Sequence, residues 1–251
     1  MSGLVIDPYR FAATWTPADL SPYLWLDASQ ETYGDGDAVS TWTNRGSGAN
    51  NATAGAGTEP TFKTGIMNGQ PVVRFDGSND FMSVASYAPA STTAGQMSVW
   101  VVMTATSGSS YAIAELTSNY NWANTFGLFR LAAGNVALRT HTSGSSFSTF
   151  ETTGTVTTTP SVYVGTMDRS LSTNEVTGYL NSTTASGTRP QNADLSGDMS
   201  TDTLYLGARA GSSLRLAGDI AEIGFVKSVL SASDITSLTS YLGAKYGVTI
   251  S

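Results

Sequence analysis

Apolar residues recur at every second position over much of this chain, and that period restricts the fold more than any other property. Successive side chains of an extended strand point to opposite faces, so a period of two buries one face and frees the other. Met97, Val99, Val101 and Met103 share one face of such a run, and Ser98, Trp100, Val102 and Thr104 the other. Val162, Val164 and Thr166 alternate with Tyr163, Gly165 and Met167. Shorter runs of the same kind lie at Val72–Phe75, Tyr111–Leu116, Thr125–Leu131, Val136–Thr140, Val176–Leu180, Thr203–Leu206 and Asp219–Val226. Turn-forming residues part them: Asp76-Gly77, Gly134-Asn135, and the stretches 168–174 and 181–187. Gly134-Asn135, set between two alternating runs, predicts a hairpin. Ten or so strands and little helical periodicity predict an all-β protein, a two-sheet antiparallel sandwich. Thr155, Thr157 and Thr159 fit the solvent side of a pleated strand in this scheme.

One helix is predicted, over residues 232–246. Ser231 and Asp234 form a capping-box pattern, Ile235, Leu238, Tyr241 and Leu242 follow at helical spacing, and Gly247 supplies the stop. A single core is possible at 251 residues. Residues 15–251 therefore read as one sandwich domain that includes this helix. Residues 1–14, with Pro8 among apolar and aromatic neighbours, read as an N-terminal docking arm.

Composition removes whole classes of chemistry. Cysteine is absent and His141 is the single histidine, which excludes zinc fingers, thiol nucleophiles, histidine-pair metal sites and disulfides. A Ser-His-Asp triad could run only through His141, and no Gly-x-Ser-x-Gly elbow accompanies it. Arg139 and His141 share the face opposite Leu138 and Thr140, which predicts a surface position for His141. Twelve basic residues against nineteen acidic argue against nucleic acid as a partner. No segment reaches the ~20 apolar residues of a membrane span. The N-terminus lacks a basic region followed by an apolar run, so synthesis in a cytoplasm without export by the general secretory route is expected.

The order of motifs carries a resemblance. Leu24-Trp25-Leu26-Asp27-Ala28-Ser29 is followed by Val39-Ser40-Thr41-Trp42, then Asn68-Gly69-Gln70-Pro71-Val72-Val73-Arg74-Phe75-Asp76-Gly77 and Asp80-Phe81-Met82. Near the end come Leu204-Tyr205-Leu206-Gly207-Ala208, Gly218-Asp219-Ile220-Ala221-Glu222-Ile223 and Tyr241-Leu242-Gly243-Ala244-Lys245-Tyr246-Gly247. Together, over residues 15–250, they resemble the laminin-G-like, concanavalin A-like jelly-roll domains of bacteriophage virion proteins and bacterial surface proteins. The resemblance implies two curved antiparallel sheets with Trp25, Trp42 and Phe75 as core aromatics. Asp76-Gly77 is then a turn with positive φ, and Glu222 a carboxylate paired at a sheet edge.

Glycosidases of this fold carry a Glu-x-Asp-x-Glu pattern on one strand face, and this chain has none. Relatives often bind calcium. Asp35 with Asp37, and Asp76 with Asp80, supply carboxylates that serve equally as turn formers, so no metal and no cofactor is predicted. Sugar recognition pairs an aromatic ring with amide hydrogen bonds. The stretch containing Tyr120, Asn121, Trp122 and Asn124 offers both, with Arg139 and His141 extending it on a neighbouring hairpin. The same stretch also fits a loop that buries Trp122. The resemblance implies a non-enzymatic protein on the virion surface, a decoration, head-fibre or tail-fibre component. Its arm (Val5, Ile6, Tyr9, Phe11) would dock to a capsid or tail protein of the same particle. Host surface glycans are the further expected partner, and a homo-oligomer is expected by analogy with appendages on symmetry axes.

Overall fold

The protein is described from a computed structural model, which covers residues 15–89, 95–116, 124–143 and 146–251. Its strands are β1 (Leu24–Asp27), β2 (Thr41–Trp42), β3 (Ala52–Thr53), β4 (Thr61–Met67), β5 (Gln70–Asp76) and β6 (Met82–Tyr87). Then come β7 (Gln96–Ala105), β8 (Tyr111–Leu116), β9 (Thr125–Arg130), β10 (Val136–Ser143) and β11 (Ser146–Thr152). β12 (Ser161–Asp168), β13 (Val176–Leu180), β14 (Gly187–Thr188), β15 (Asp202–Leu206), β16 (Ala217–Val226) and helix α1 (Ala232–Tyr246) complete the order.

Among the described residues the strands form two antiparallel sheets. One has seven strands in the order β13-β12-β7-β16-β5-β4, with β1 also paired to β16. The other has nine, ordered β14-β11-β10-β9-β8-β15-β6-β3-β2. The core lies between them. Phe126 and Tyr87 from the nine-stranded sheet meet Phe225 of β16 at ring separations of 5.8 and 5.5 Å. Trp42, Phe75, Val99, Val101, Leu138 and Tyr163 close the same layer, all essentially without solvent contact. The β9–β10 hairpin turns at Gly134, whose φ of 101° suits glycine.

Helix α1 adds a third layer. Ile235, Leu238, Leu242 and Tyr246 pack on Val72, Trp100, Val102, Val162, Val164 and Ala221, the outer face of the seven-stranded sheet. β7 is consequently buried on both faces, which is why its central residues are apolar at consecutive positions. Ser231 Oγ accepts from Asp234 N, Asp234 Oδ2 accepts from Ser231 N, and left-handed Gly247 ends the helix by donating to Gly243 O. No helix among the described residues is long and apolar enough to cross a membrane.

Three sequence expectations need correction. Trp25 is not in the central core. It is half-buried on the helix side, with its indole Nε1 donating to Glu222 Oε1 at 2.8 Å. Glu222 is paired, but not at a sheet edge: β16 is flanked there by β1 and β7, and the carboxylate is fully buried beneath α1. Thr155, Thr157 and Thr159 lie in the loop joining β11 and β12, exposed but not on a strand. Gly154 and Pro160 interrupt pairing on either side of them.

Candidate functional site

The two outer faces of the sandwich differ. One is roofed by α1, whereas the outer face of the nine-stranded sheet carries no helix among the described residues. Register fixes what that face presents. Glu115 of β8 lies opposite Gly127 of β9, Gly127 opposite Arg139 of β10, and Arg139 opposite Thr149 of β11. One pleat away Ala112, Phe129, Ala137 and Glu151 form a parallel row.

Gly127 organises the cluster. Phe129 points to the same face two residues on, and its ring folds back over the glycine, where a Cβ would come within 2.4 Å of the ring. The ring thus fills the centre of the first row. Arg139 and Arg209 hold their guanidinium groups 5.9 and 5.4 Å from its centroid, in cation–π range. Each is also paired with a carboxylate: Arg139 Nη2 with Glu151 Oε1 at 3.3 Å, and Arg209 Nε with Glu115 Oε2 at 3.1 Å. Arg209 arrives from the segment after β15, which also lays Leu214 against Phe129. The result is a charge-balanced row, Glu151–Arg139–Phe129–Arg209–Glu115. Both arginine side chains keep about a quarter of their surface exposed, while Phe129 is buried.

Arg139, expected at a binding site, belongs to this row. His141 is on the same strand face but is not a surface residue. Its exposure is 1%, because the Phe147 ring opposite it stacks on the imidazole at 4.8 Å with planes 15° apart. Asn124 adopts a left-handed backbone, with φ 62°, and turns its side chain elsewhere: Oδ1 accepts from Arg169 Nη2 at 3.0 Å. Tyr120, Asn121 and Trp122, and the arm residues Val5, Ile6, Tyr9 and Phe11, lie outside the described residues. Glu115, Phe129 and Arg209 were not singled out from sequence. Gly127 beside aromatic Phe129 was the available local signal; nothing local points to Arg209, 94 positions from its carboxylate partner.

The candidate calcium carboxylates act as turn formers. Asp35 pairs with Lys63 at 2.8 Å, Asp37 accepts from Gly34 N, Asp76 accepts from Ser78 N, and Asp80 accepts from Asp76 N. Among the described residues no group of three His, Asp or Glu converges on a point that could hold a metal ion.

Arg169 and Glu175 fasten the chain beside Asn124. The buried Arg169 guanidinium donates to Ser196 O and Asp198 O as well as to Asn124, and Glu175 Oε1 accepts from Leu195 N. Burial pushes the Glu175 carboxyl up to about 7 and that of Asp80 up to about 6. Both folded values exceed the ordinary carboxylate values, so between the two the native state binds more protons than the unfolded chain. The stability contributed is present at low pH and lost as pH rises through 6–7. Thermal unfolding followed by calorimetry should give a higher Tm at pH 5 than at pH 8, and Glu175→Gln with Asp80→Asn should flatten the profile. A slope unchanged in the double variant would contradict this assignment.

Comparison with known proteins places this geometry in context. The family model for the concanavalin A-like lectin/glucanases superfamily matches residues 75–236. The receptor-binding domain of botulinum neurotoxin D is similar over 89% of this chain and 53% of that one, at a TM-score of 0.64 and 12% identity. The receptor-binding domain of botulinum neurotoxin type G gives 0.62 and 9%, over 88% and 51%. The botulinum neurotoxin serotype D ligand-binding domain in complex with N-acetylneuraminic acid gives 0.59 and 12%, over 89% and 51%. The chain spans about half the length of these structures, and such identities establish a common fold alone. No curated protein matches it in sequence.

Proposed function

The chain belongs to the concanavalin A-like lectin/glucanases superfamily, and from that premise we propose that it is a carbohydrate-binding module without catalytic activity. The observation that carries the reading is the Glu151–Arg139–Phe129–Arg209–Glu115 row on the helix-free face. Guanidinium and carboxylate groups held rigidly side by side offer fixed donors and acceptors to neighbouring sugar hydroxyls. The neutral balance of the row suits an uncharged or weakly charged glycan. To the row the reading adds Tyr120, Asn121 and Trp122, the aromatic and amide residues that precede Asn124 in sequence. Their aromatic rings are the stacking groups that this reading calls for. Structures of similar fold include one solved with N-acetylneuraminic acid.

The carboxylates argue for binding over hydrolysis. Glu115 and Glu151 are separated by three strand spacings, roughly 14 Å, whereas a glycosidase pair needs about 5–9.5 Å. Asp27 and Glu222 are directly opposite one another, but both are buried under α1. Neither pair can flank a glycosidic bond.

The motif resemblance adds the setting: the module is carried on the surface of a bacteriophage particle, with residues 1–14 docking to a capsid or tail protein. A glycan array probed with the wild type, Arg139→Ala and Trp122→Ala tests the binding reading. Each variant is expected to weaken the best glycan about tenfold, the effect of one lost charge-assisted hydrogen bond or stacking contact. Full retention in both variants, or no glycan bound by the wild type, would overturn it. Deletion of residues 1–14 tests the setting, by loss of incorporation into particles with folding intact.

A further inference from the structure

A second polar row lies on the opposite side of the molecule. On the outer face of the seven-stranded sheet, Thr61 of β4 stands opposite Arg74 of β5, Arg74 opposite Asp219 of β16, and Asp219 opposite Thr104 of β7. Each of the last three is one pleat beyond a residue that α1 covers, namely Val72, Ala221 and Val102. The helix layer therefore ends where this row begins. A trough of about 510 Å³ opens there, walled by Ile66, Met67 and Pro160 and edged by Thr158. That volume falls within the range of small-ligand sites.

Arg74 and Asp219 form a bidentate pair, Nε to Oδ1 at 2.7 Å and Nη2 to Oδ2 at 2.9 Å. Asp219 is buried, but 44% of the Arg74 side chain is exposed. Two of the five guanidinium N–H groups are used on the carboxylate, so the others remain for a ligand. The hydroxyls of Thr61 and Thr158 add groups that can donate or accept. The charged lining is Arg74 against Asp76 and Asp219, an excess of one carboxylate that disfavours an anion. Asp76 is occupied by the amides of Ser78 and Asn79, and Asp219 by Arg74, so a free cation gains little. Ile66 is 40% exposed and adds an apolar surface to the trough wall.

We propose that this trough is a second binding site, for an uncharged, hydroxyl-rich ligand of mono- or disaccharide size. It is formed by Arg74, Asp219, Thr61 and Thr104 with Ile66 as its apolar wall. The site lies on a different sheet from the Arg139 row and does not depend on that row binding sugar. If both act, the domain is bivalent, with its two sites on opposite faces.

The test is an NMR titration of the ¹⁵N-labelled full chain with maltose, lactose and cellobiose, and with N-acetylneuraminic acid as the charged control. At least one neutral disaccharide should shift the amides of Arg74, Thr104 and Asp219 saturably. Thr104→Val and Ile66→Ser should each weaken that titration about fivefold while the other amides keep their positions. Arg139→Ala should leave it unchanged and abolish any shifts at Gly127 and Thr149, so failure at one face is distinguishable from failure at the other. The proposal is overturned if the Arg74, Thr104 and Asp219 amides stay fixed with every neutral sugar to about 20 mM, where a millimolar site would be filled. It is equally overturned if the acidic sugar moves them as strongly, or if neither trough variant weakens the response.

Discussion

Replacing Lys245 by methionine is expected to cost about 3–5 kcal/mol of stability, far more than an exposed lysine would. The Lys245 ammonium holds Asp27 Oδ2 at 2.7 Å and Glu222 Oε2 at 2.9 Å, joining the last turn of α1 to two adjacent strands. Asp27 and Glu222 are 1% and 0% exposed, so removing the cation leaves two like charges facing each other without water. Trp25 Nε1, Trp100 Nε1 and Tyr246 OH also donate to Glu222, but none of them supplies charge. Burial alone would draw the Lys245 pKa down; the Glu222 and Asp27 carboxylates outweigh it and hold it above 10.5. The stability contributed by this group is thus complete below pH 10.5 and lost as pH rises through the folded value. For Glu222, burial raises the pKa against the pull of Lys245. In Lys245→Met that rise grows, so the variant should recover stability as pH falls toward 5. Urea unfolding of Lys245→Met, Glu222→Gln and the double variant measures the coupling. A loss below about 1 kcal/mol, or a double variant no better than Lys245→Met, would contradict this account.

Gly224→Ala should cost about 3 kcal/mol, the upper part of the range for overpacking a filled core. Gly224 stands in register between Trp25 of β1 and Trp100 of β7. The Trp100 indole lies across it, and a Cβ would fall 2.1 Å from Cζ2 of a ring with no solvent-exposed surface. The missing side chain is what lets this indole lie flat under α1 and reach Glu222 Oε1 at 3.4 Å. The steric origin has a signature. Trp100→Phe, which shortens the ring, should cost less in the Gly224→Ala background than in the wild type. Additive costs in the double-mutant cycle would mean that the backbone, not the indole, rejects the methyl group.

How much of this architecture the sequence revealed depended on local rules. The C-terminal helix was readable to the residue, because Ser231, Asp234 and Gly247 act through bonds to their own neighbours. Short apolar or alternating runs set off by turn residues, such as Tyr111–Leu116 and Val176–Leu180, were equally plain. β4 and β11 were not: β4 has Lys63 and Gly65 with a register shift between Lys63 and Met67, and β11 is largely Ser and Thr. Both become strands because neighbours satisfy their backbones. The resemblance implies a core position for Trp25 because motif order identifies a strand but not which layer covers each of its faces. The Arg139 row was half visible. Arg139 lies beside the predicted hairpin, whereas Glu115 and Arg209 meet only through tertiary packing. His141 read as exposed because nothing local announces that Phe147 will lie over it.

The place of β16 in the seven-stranded sheet has a consequence for biosynthesis. This strand, residues 217–226, is the last in chain order among the described strands, yet it lies between β7 on one side and β5 and β1 on the other. Until it leaves the ribosome, the two halves of that sheet have no strand to join them, and α1 has no complete surface to settle on. Closure must bridge the long intervening chain late, a slow step by the loop-closure cost of distant pairing. Nascent chains therefore expose two open β-edges from the emergence of β7 until that of β16, and this is the species cellular chaperones must protect.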